Sequence, residues 1–453
     1  MLDDKGRHGA RRVRFGGQMR NRFPRAPGWR AIGIFLTAAA ILIPALPFAA
    51  KAKQTSTRDS TATLNKLVAE ALAQNPDVVA AQARWQATTH APIQARTLPD
   101  PEVQLQEFTV GSPQPFSGYE TSNFYYTGFG VSQDIPGPGK LALQGKIAEK
   151  DAEIAQHQYE MAQRGAAEKV REDYFELFYL AKTLELLQRS QTDLSHIEQT
   201  VQGLYRVGQA QAQDVLKAQL EATRMLDEIE HRHLEMQQRQ DDLKTALGRD
   251  STSADIEIGD VRPTQVSLAS EPLTDLAERR SPDVQLERAS RERSEESLRL
   301  AQKGYLPDFT AGYVYEKTGP GFPDYYMLTL GARIPLYFWR RQTPAIEEAA
   351  LDAAAAHAQM RARMLDASAS AQDQLVAIHI ADRVLTLYRE GLIPQGENSL
   401  GAAMAGYRVG KVDFESVLLA FVDLRNLHEE YYREIADHEI AVARLEQTIG
   451  DLK

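Results

Sequence analysis

The chain has 453 residues, 43% hydrophobic and 25% charged, a balance that suits an ordered protein with real cores and excludes global disorder. Its net charge of −10 gives no support to a nucleic-acid role. With no cysteine it has no disulfide, thiolate metal site, cysteine nucleophile or cysteine-linked lipid anchor.

The first 52 residues read as a targeting segment. Up to Arg30 there are nine Lys/Arg and two Asp, then the apolar run Ala31 to Ala50, then the small-x-small site Ala50-Lys51-Ala52. This is the order of a secretory signal peptide. Met19 is a second candidate start, since Met19 to Ala52 makes a signal of ordinary size. Arg11-Arg12 sits in a poor twin-arginine context. A retained anchor is the alternative, but Pro44 and Pro47 interrupt the run and favour cleavage. No later segment has the roughly 20 apolar residues a membrane helix needs. Contact with a membrane would therefore use β-strands or the surface.

The remainder is an internal repeat. Tyr205-Arg206-Val207-Gly208 recurs as Tyr407-Arg408-Val409-Gly410, and Val215-Leu216-x-Ala218 as Val417-Leu418-x-Ala420. That offset of 202 holds to Leu247-Gly248 and Ile449-Gly450. Asn75-Pro76-Asp77-Val78 matches Ser281-Pro282-Asp283-Val284, at an offset of 206. Leu98-Pro99-Asp100 matches Leu306-Pro307-Asp308 at 208, and Ile135-Pro136 matches Ile334-Pro335 at 199. The drop of nine predicts a longer loop in the first half, at Gly111 to Tyr119. The two repeats are read as residues 53–260 and 261–453, a duplicated half-molecule rather than a solenoid.

Each half reads helix, strand, strand, long helix, helix. The first helix, about Thr61 to Arg96 with an interruption at Pro76, corresponds to about Pro272 to Gly304. Strands are expected at about 102–110, 123–134, 308–317 and 324–335, with period-two alternation. Tyr125, Thr127, Phe129 and Val131 share one face; Phe309, Ala311, Tyr313 and Tyr315 share another; Tyr326, Leu328, Leu330, Ala332 and Ile334 a third. Length and aromatic content fit transmembrane strands, and a soluble antiparallel sheet fits the periodicity equally well. Gly319-Pro320-Gly321 marks the hairpin turn between the last two strands.

Long helices are expected at about 140–202, 209–248, 340–395 and 411–450. The first would span roughly 90–100 Å at 1.5 Å per residue. Apolar residues step by threes and fours, as in Val417, Phe421, Leu424, Tyr431, Ile435, Val442, Leu445 and Ile449. Val215, Leu226, Ile229, Met236, Leu243 and Leu247 form the equivalent stripe. A mean period of 3.5 is the coiled-coil signature. His428 and His438 fill gaps in the stripe, and His233 lies in the other, so all three read as seam residues. His231 and His233 lie about 200° apart on a helix and do not share an ion readily. The fold class is mainly α with a small β part: long antiparallel coiled-coil helices plus four β-strands, internally duplicated. Four strands leave two open edges, which hydrocarbon forbids. In a membrane the chain must share its barrel with copies of itself, two giving eight strands and three giving twelve.

The order of elements, the Asn-Pro-Asp-Val start and the paired Tyr-x-x-Gly-x6-Val-Leu-x-Ala segments resemble the TolC-type outer-membrane efflux family, over about Ala62 to Leu452. The resemblance implies a homotrimer with a twelve-stranded barrel in outer-membrane lipid and a periplasmic α-barrel. It implies two hairpin tips, turning near Tyr205 to Gly208 and Tyr407 to Gly410, that close the tube and meet a periplasmic adaptor serving an inner-membrane pump. Tyr205, Gly208, Val215, Leu216, Tyr407, Gly410, Val417 and Leu418 carry over as tip or gate positions; seam packing explains the Val and Leu positions as well. Some members carry two aspartates that ring the constriction; Ser416 and Leu419 stand in those places here. Asp413 and Glu415 lie close by on other faces, and Asp214 holds the equivalent place in the first half. Ser132 to Lys140 contains a Pro-Gly-Lys junction similar to that of heavy-metal-efflux relatives, a hint toward metal cations as cargo; the resemblance implies a passive duct for small molecules or metal ions, with an RND pump as its inner-membrane partner. A type I protein-secretion channel and a soluble periplasmic adaptor or scaffold are the alternatives. No catalytic constellation, cofactor site or metal-ligand cluster is expected, because the acidic residues scatter over helix faces.

Overall fold

The computed structural model describes residues 60–110, 114–115, 124–266 and 272–449. The expected signal peptide and nearly all of the expected Gly111–Tyr119 loop lie outside the described residues.

The described residues begin with α1 (Ser60–Gln74), α2 (Pro76–Thr88) and α3 (Ala91–Arg96). Asn75 caps α2: its Oδ1 accepts from the backbone N–H of Asp77 at 2.9 Å and of Val78 at 3.3 Å, and Pro76 starts the helix where no N–H is needed. Asn75 Nδ2 donates to Ala246 O at 2.9 Å, tying this entry to a distant helix end. The first expected helix is broken twice rather than once. Pro92 opens α3, so the chain breaks at Thr89–His90 as well as at Pro76.

Strands β1 (Glu102–Thr109) and β2 (Tyr125–Ile135) follow, then α4 (Lys140–Arg206) and α5 (Ala212–Ala246). The second half has α6 (Leu273–Arg280), α7 (Pro282–Gln302), β3 (Asp308–Thr318), β4 (Tyr325–Arg333), α8 (Gln342–Leu387), α9 (Ile393–Arg408) and α10 (Phe414–Ile449). Between α8 and α9 the chain makes a π-turn, Tyr388–Leu392, rather than ending near 395. Pro394 has no N–H for the preceding turn and its ring crowds that turn's carbonyl; one wide turn absorbs the conflict and the helix resumes.

The strands form one antiparallel sheet in the order β1-β2-β3-β4. The sequence offsets reappear in its register. Adding 208 to Gln104 and 199 to Gly130 turns the pair Gln104↔Gly130 into Gly312↔Thr329, which is the observed pair. Across the sheet, Leu105, Phe129, Tyr315 and Tyr326 form one row and Val103, Val131, Tyr313 and Leu328 the next. These rows are exposed, Leu330 beside them to 76%. The opposite face carries Gln104, Gly130, Val314 and, a step along, Gly128 and Glu316, of which Val314 is 2% exposed. A Cβ on Gly130 would stand 2.7 Å from Val314, so only glycine fits beneath that side chain. A sheet that exposes its apolar face and covers its small and polar one is the reverse of a soluble sheet, and suits an apolar surrounding.

The helices pack as long antiparallel pairs, α4 against α5, α7 and α10, and α8 against α7 and α10. One core cluster, with Leu67, Val170, Tyr174, Leu177, Leu243 and Ile440, joins α1, α4, α5 and α10. The segment after α5 straps across the pairs. The Ile256 N–H donates to Gln240 Oε1 at 3.0 Å, the Gly259 N–H to Tyr174 Oη at 3.1 Å, and the Thr264 N–H to Glu439 Oε1 at 2.6 Å. His438 is fully buried between carboxylates, its Nδ1 2.9 Å from Glu439 and its Nε2 3.3 Å from Asp382. His428 is half-buried, and burial pushes its pKa down. No described helix is long and apolar enough to cross a membrane.

Sheet and helices meet at the Pro136–Lys140 junction. Lys140 Nζ lies 2.7 Å from Asp308 Oδ1 and donates to Leu306 O at 3.0 Å, and the Gly137 N–H donates to Asp308 Oδ1 at 2.7 Å. The motif thus clamps the second strand's exit to the third strand's entry. Replacing Lys140 with Met removes a partly buried charge-assisted contact, worth about 1–2 kcal/mol. A lowered thermal midpoint in detergent is expected, largely restored in Lys140→Arg; an unchanged midpoint in Lys140→Met refutes the clamp.

Candidate functional site

The α4–α5 and α9–α10 turns close in the same way. The Gly208 N–H donates to Tyr205 O at 3.0 Å and the Gln209 N–H to Leu204 O at 2.8 Å. In the second hairpin the Gly410 N–H donates to Tyr407 O at 3.0 Å and the Lys411 N–H to Gly406 O at 2.9 Å. This double bond is the Schellman cap, which needs a left-handed residue; Gly208 has φ 75° and Gly410 φ 72°. The recurrence of Tyr-Arg-Val-Gly therefore reflects a backbone requirement at glycine.

The tyrosines of the two copies stand in different surroundings. Tyr205 is exposed, whereas Tyr407 is buried. Tyr407 Oη donates to Asp214 Oδ2 at 3.0 Å and its ring packs 5.5 Å from Phe414. Burial, reinforced by the Asp214 carboxylate, pushes the Tyr407 phenol above its ordinary range, so it stays a donor. Asp214 also accepts from the Gln211 N–H at 3.3 Å, completing a capping box at the start of α5.

The other tip positions divide by face. Val417 is fully buried with Phe414 and Phe421, and Val215 and Leu418 are partly buried against the same cluster. Leu216 and Leu419 are exposed, as are Val207 and Val409. Asp413 Oδ1 accepts from the Ser416 N–H at 2.9 Å, holding the first turn of α10, and hydrogen bonds from the Ser416 side chain and backbone keep its carboxyl below the usual range. Glu415 reaches across to Lys217 at 2.8 Å. Lys217 and Phe414 are tip residues that the repeat motif did not single out. Lys217 meets a partner 198 residues away, which no local pattern reveals.

Above the tips, polar cross-links join the hairpins. Arg425 lies 3.2 Å from Glu228, Arg232 2.8 Å from Glu429, and Arg433 2.9 Å from Glu176 with its guanidinium 5.2 Å from the Tyr179 ring centroid. Tyr179 donates to Glu429 at 2.8 Å; burial and that carboxylate push its pKa up to about 12. No group of three or more potential metal ligands occurs among the described residues.

The turn geometry generates a test. Gly208→Ala and Gly410→Ala force a side chain into the left-handed region with open space around it, a penalty of about 1–2 kcal/mol each. Faster proteolytic cleavage at the substituted turn is expected, with Asn tolerated better than Ala; equal cleavage of Ala, Asn and parent chains contradicts the cap assignment.

The profile of the family described as outer membrane efflux protein matches residues 67–249 and 273–451. Outer membrane protein TolC of Vibrio cholerae serotype O1 is 24% identical over 318 residues, 67% of this chain and 72% of the relative. Of solved structures, the outer membrane protein VceC of Vibrio cholerae aligns with a TM-score of 0.72 at 18% identity, covering 86% of this chain and 96% of that one. The CmeC outer membrane channel of Campylobacter jejuni aligns with a TM-score of 0.73 at 14% identity, covering 91% and 94%. The soluble adaptor or scaffold reading falls with these matches and with the exposed apolar strand face. The chain belongs to the outer membrane efflux protein family and is the outer-membrane channel component of an efflux system.

Proposed function

We propose that three copies of the chain form the duct of a tripartite pump, gated at its periplasmic end by the second hairpin, with repeats meeting near residue 260. The observation that carries the gate is the Tyr407–Asp214 contact, which ties the end of α9 to the neighbouring hairpin at 3.0 Å. Lys217–Glu415 adds a second tie, open to water and therefore weakened by salt. The helix leading to this latch contains the π-turn and Pro394, where the equivalent stretch of α4 is unbroken. A latch at one end and a weak point at the other suit a hairpin that swings.

Copy-to-copy packing is supported by α8. Its residues Leu351, Leu365, Val376, Ile380 and Leu387 are exposed and follow one another at spacings of roughly three and a half residues or its multiples, a seam without a partner in this chain. The exposed Val207, Leu216, Val409 and Leu419 supply apolar surface for a periplasmic adaptor. For the pump class, the Ser132–Lys140 junction supports the RND type.

The test separates gate from duct. Tyr407→Phe loses the bond to Asp214, on the order of 1–2 kcal/mol, while keeping the ring. Cells carrying it should admit a large hydrophilic antibiotic several-fold more readily, and single channels in planar bilayers should conduct more. Tyr407→Phe and Asp214→Asn together should add little to either alone. Parental conductance and permeability in both single variants would sink the latch.

A further inference from the structure

Among the described residues the sheet has β1 and β4 as its two outer strands, and the internal repeat specifies how a second copy meets them. Offsets of 208 for β1 to β3 and 199 for β2 to β4 convert one observed register into another. The β2–β3 seam joins the sheet half of one repeat to that of the next inside the chain. The seam between copies, β4 with the next chain's β1, is its counterpart under the same two offsets. Ile135↔Phe309 then becomes Ile334 opposite the partner's Pro101. The pairs that follow are Ala332 with the partner's Val103, Leu330 with the partner's Leu105, Thr329 with the partner's Gln106, and Arg333 with the partner's Glu102.

Three features that the offsets do not contain agree with this register. The first is facing: Val103, Leu105, Leu328 and Leu330 all belong to the exposed apolar rows, and a slip of one residue would turn one strand's set inward. The second is charge. Arg333 already stands opposite Asp308 in its own chain, so the partner's Glu102 gives it a carboxylate on each side. The third is the junction clamp. Asp100 is the counterpart of Asp308, Leu336 of Gly137 and Trp339 of Lys140, and Arg340 and Arg341 follow Trp339 directly. Asp100, Glu102, Arg340 and Arg341 are all exposed, and none takes part in an ion pair among the described residues.

Resting on the homotrimer reading, we propose that β4 pairs with β1 of the next copy in this register, sealed at its base by Arg333 on the partner's Glu102 and by the Arg340–Arg341 pair on the partner's Asp100. One consequence reaches the bore. On the face opposite the apolar rows Phe108 stacks on Tyr126 at 5.4 Å, and Tyr325 lies 6.0 Å from Tyr126. The register sets Met327 opposite the partner's Phe108, with Tyr325 one same-face position further along β4. The rings thus continue from copy to copy as an aromatic collar inside the barrel.

The chain has no cysteine, so the full-length protein in outer membranes is its own background. Two double variants, Leu330→Cys with Leu105→Cys and Thr329→Cys with Gln106→Cys, test opposite faces, one of which holds the closer, non-hydrogen-bonded pairs. Oxidation should link at least one of them into covalent trimers at least tenfold faster than the slipped pairs, Leu330→Cys with Val103→Cys and Thr329→Cys with Gln104→Cys. Faster linking of a slipped pair, or no linking in protein that light scattering shows to be trimeric, overturns the register. Protein that is folded but monomeric by light scattering overturns the homotrimer reading instead, so the two failures are distinguishable.

Discussion

A backbone N–H or C=O in hydrocarbon must find a partner, and the sheet of this chain answers to that rule. The sheet turns its apolar rows outward and its glycines, glutamines and Val314 inward, so its outer surround is lipid. Among the described residues it nevertheless ends in two outer strands, β1 and β4, with no further strand beside them. A single copy is therefore not a finished structure, and the edge helix α8, with its unpartnered apolar line, repeats at the level of side chains what β4 states in backbone groups. Charged and aromatic groups gather at the two strand exits. Lys140 and Asp308 hold one, and Tyr337, Phe338 and Trp339 followed by Arg340 and Arg341 stand at the other, an aromatic and cationic border of the kind found where lipid meets water.

Below that border the problem changes. A helix about 100 Å long cannot wrap a globular core, so each pair buries only a narrow stripe. The stripe is supplemented by cross-links between hairpins, such as Arg232 to Glu429 and Arg425 to Glu228, and Arg425 is nearly buried while it makes its contacts. Buried charges of this type gain little net stability but penalise any shift of one helix along another, since a slipped register leaves a charge unpaired. Register control matters more in a long two-helix stripe than in a compact core, where packing alone fixes position.

Much of this was legible in the sequence because the repeat is written in backbone requirements. Gly208 and Gly410 mark identical helix caps, and the offsets of 208 and 199 carry strand register intact. Strand faces followed from alternation, and helix extent from the near absence of Gly and Pro over 140–202. What stayed hidden depends on contacts between the halves. Tyr205 and Tyr407 sit in the same four-residue motif, yet one is exposed and the other buried on Asp214. Lys140 reads as a motif residue until Asp308, 168 positions away, shows its partner. Pro394 was visible, but whether a proline kinks, ends or widens a helix is decided by what packs around it, and here α10 holds the line while one turn expands. Pro92 breaks the first helix for the opposite reason, because it falls where a new helix can start.

The hidden part is also where the two repeats diverge, and the divergence has a direction. The approach to the second tip holds Gly391, Pro394, Gly396, Gly401 and Gly406, whereas residues 189–204 of the first repeat hold one glycine, Gly203, and no proline. Each glycine gives up roughly 1 kcal/mol of helix propensity against alanine, and proline about 3. α9 is thus the weaker helix, although Gly396 also lets it approach α10, where a Cβ would meet Leu427 at 3.0 Å. A wall built from two equal repeats has no reason to move at one place more than another. In the proposed gate, a weakened helix whose end is fastened to the other hairpin through Tyr407 and Asp214 is the part that would move, without a change in the fold that carries it. On the proposed gating, the duplication supplies the symmetric wall and the substitutions that break its symmetry supply the moving part.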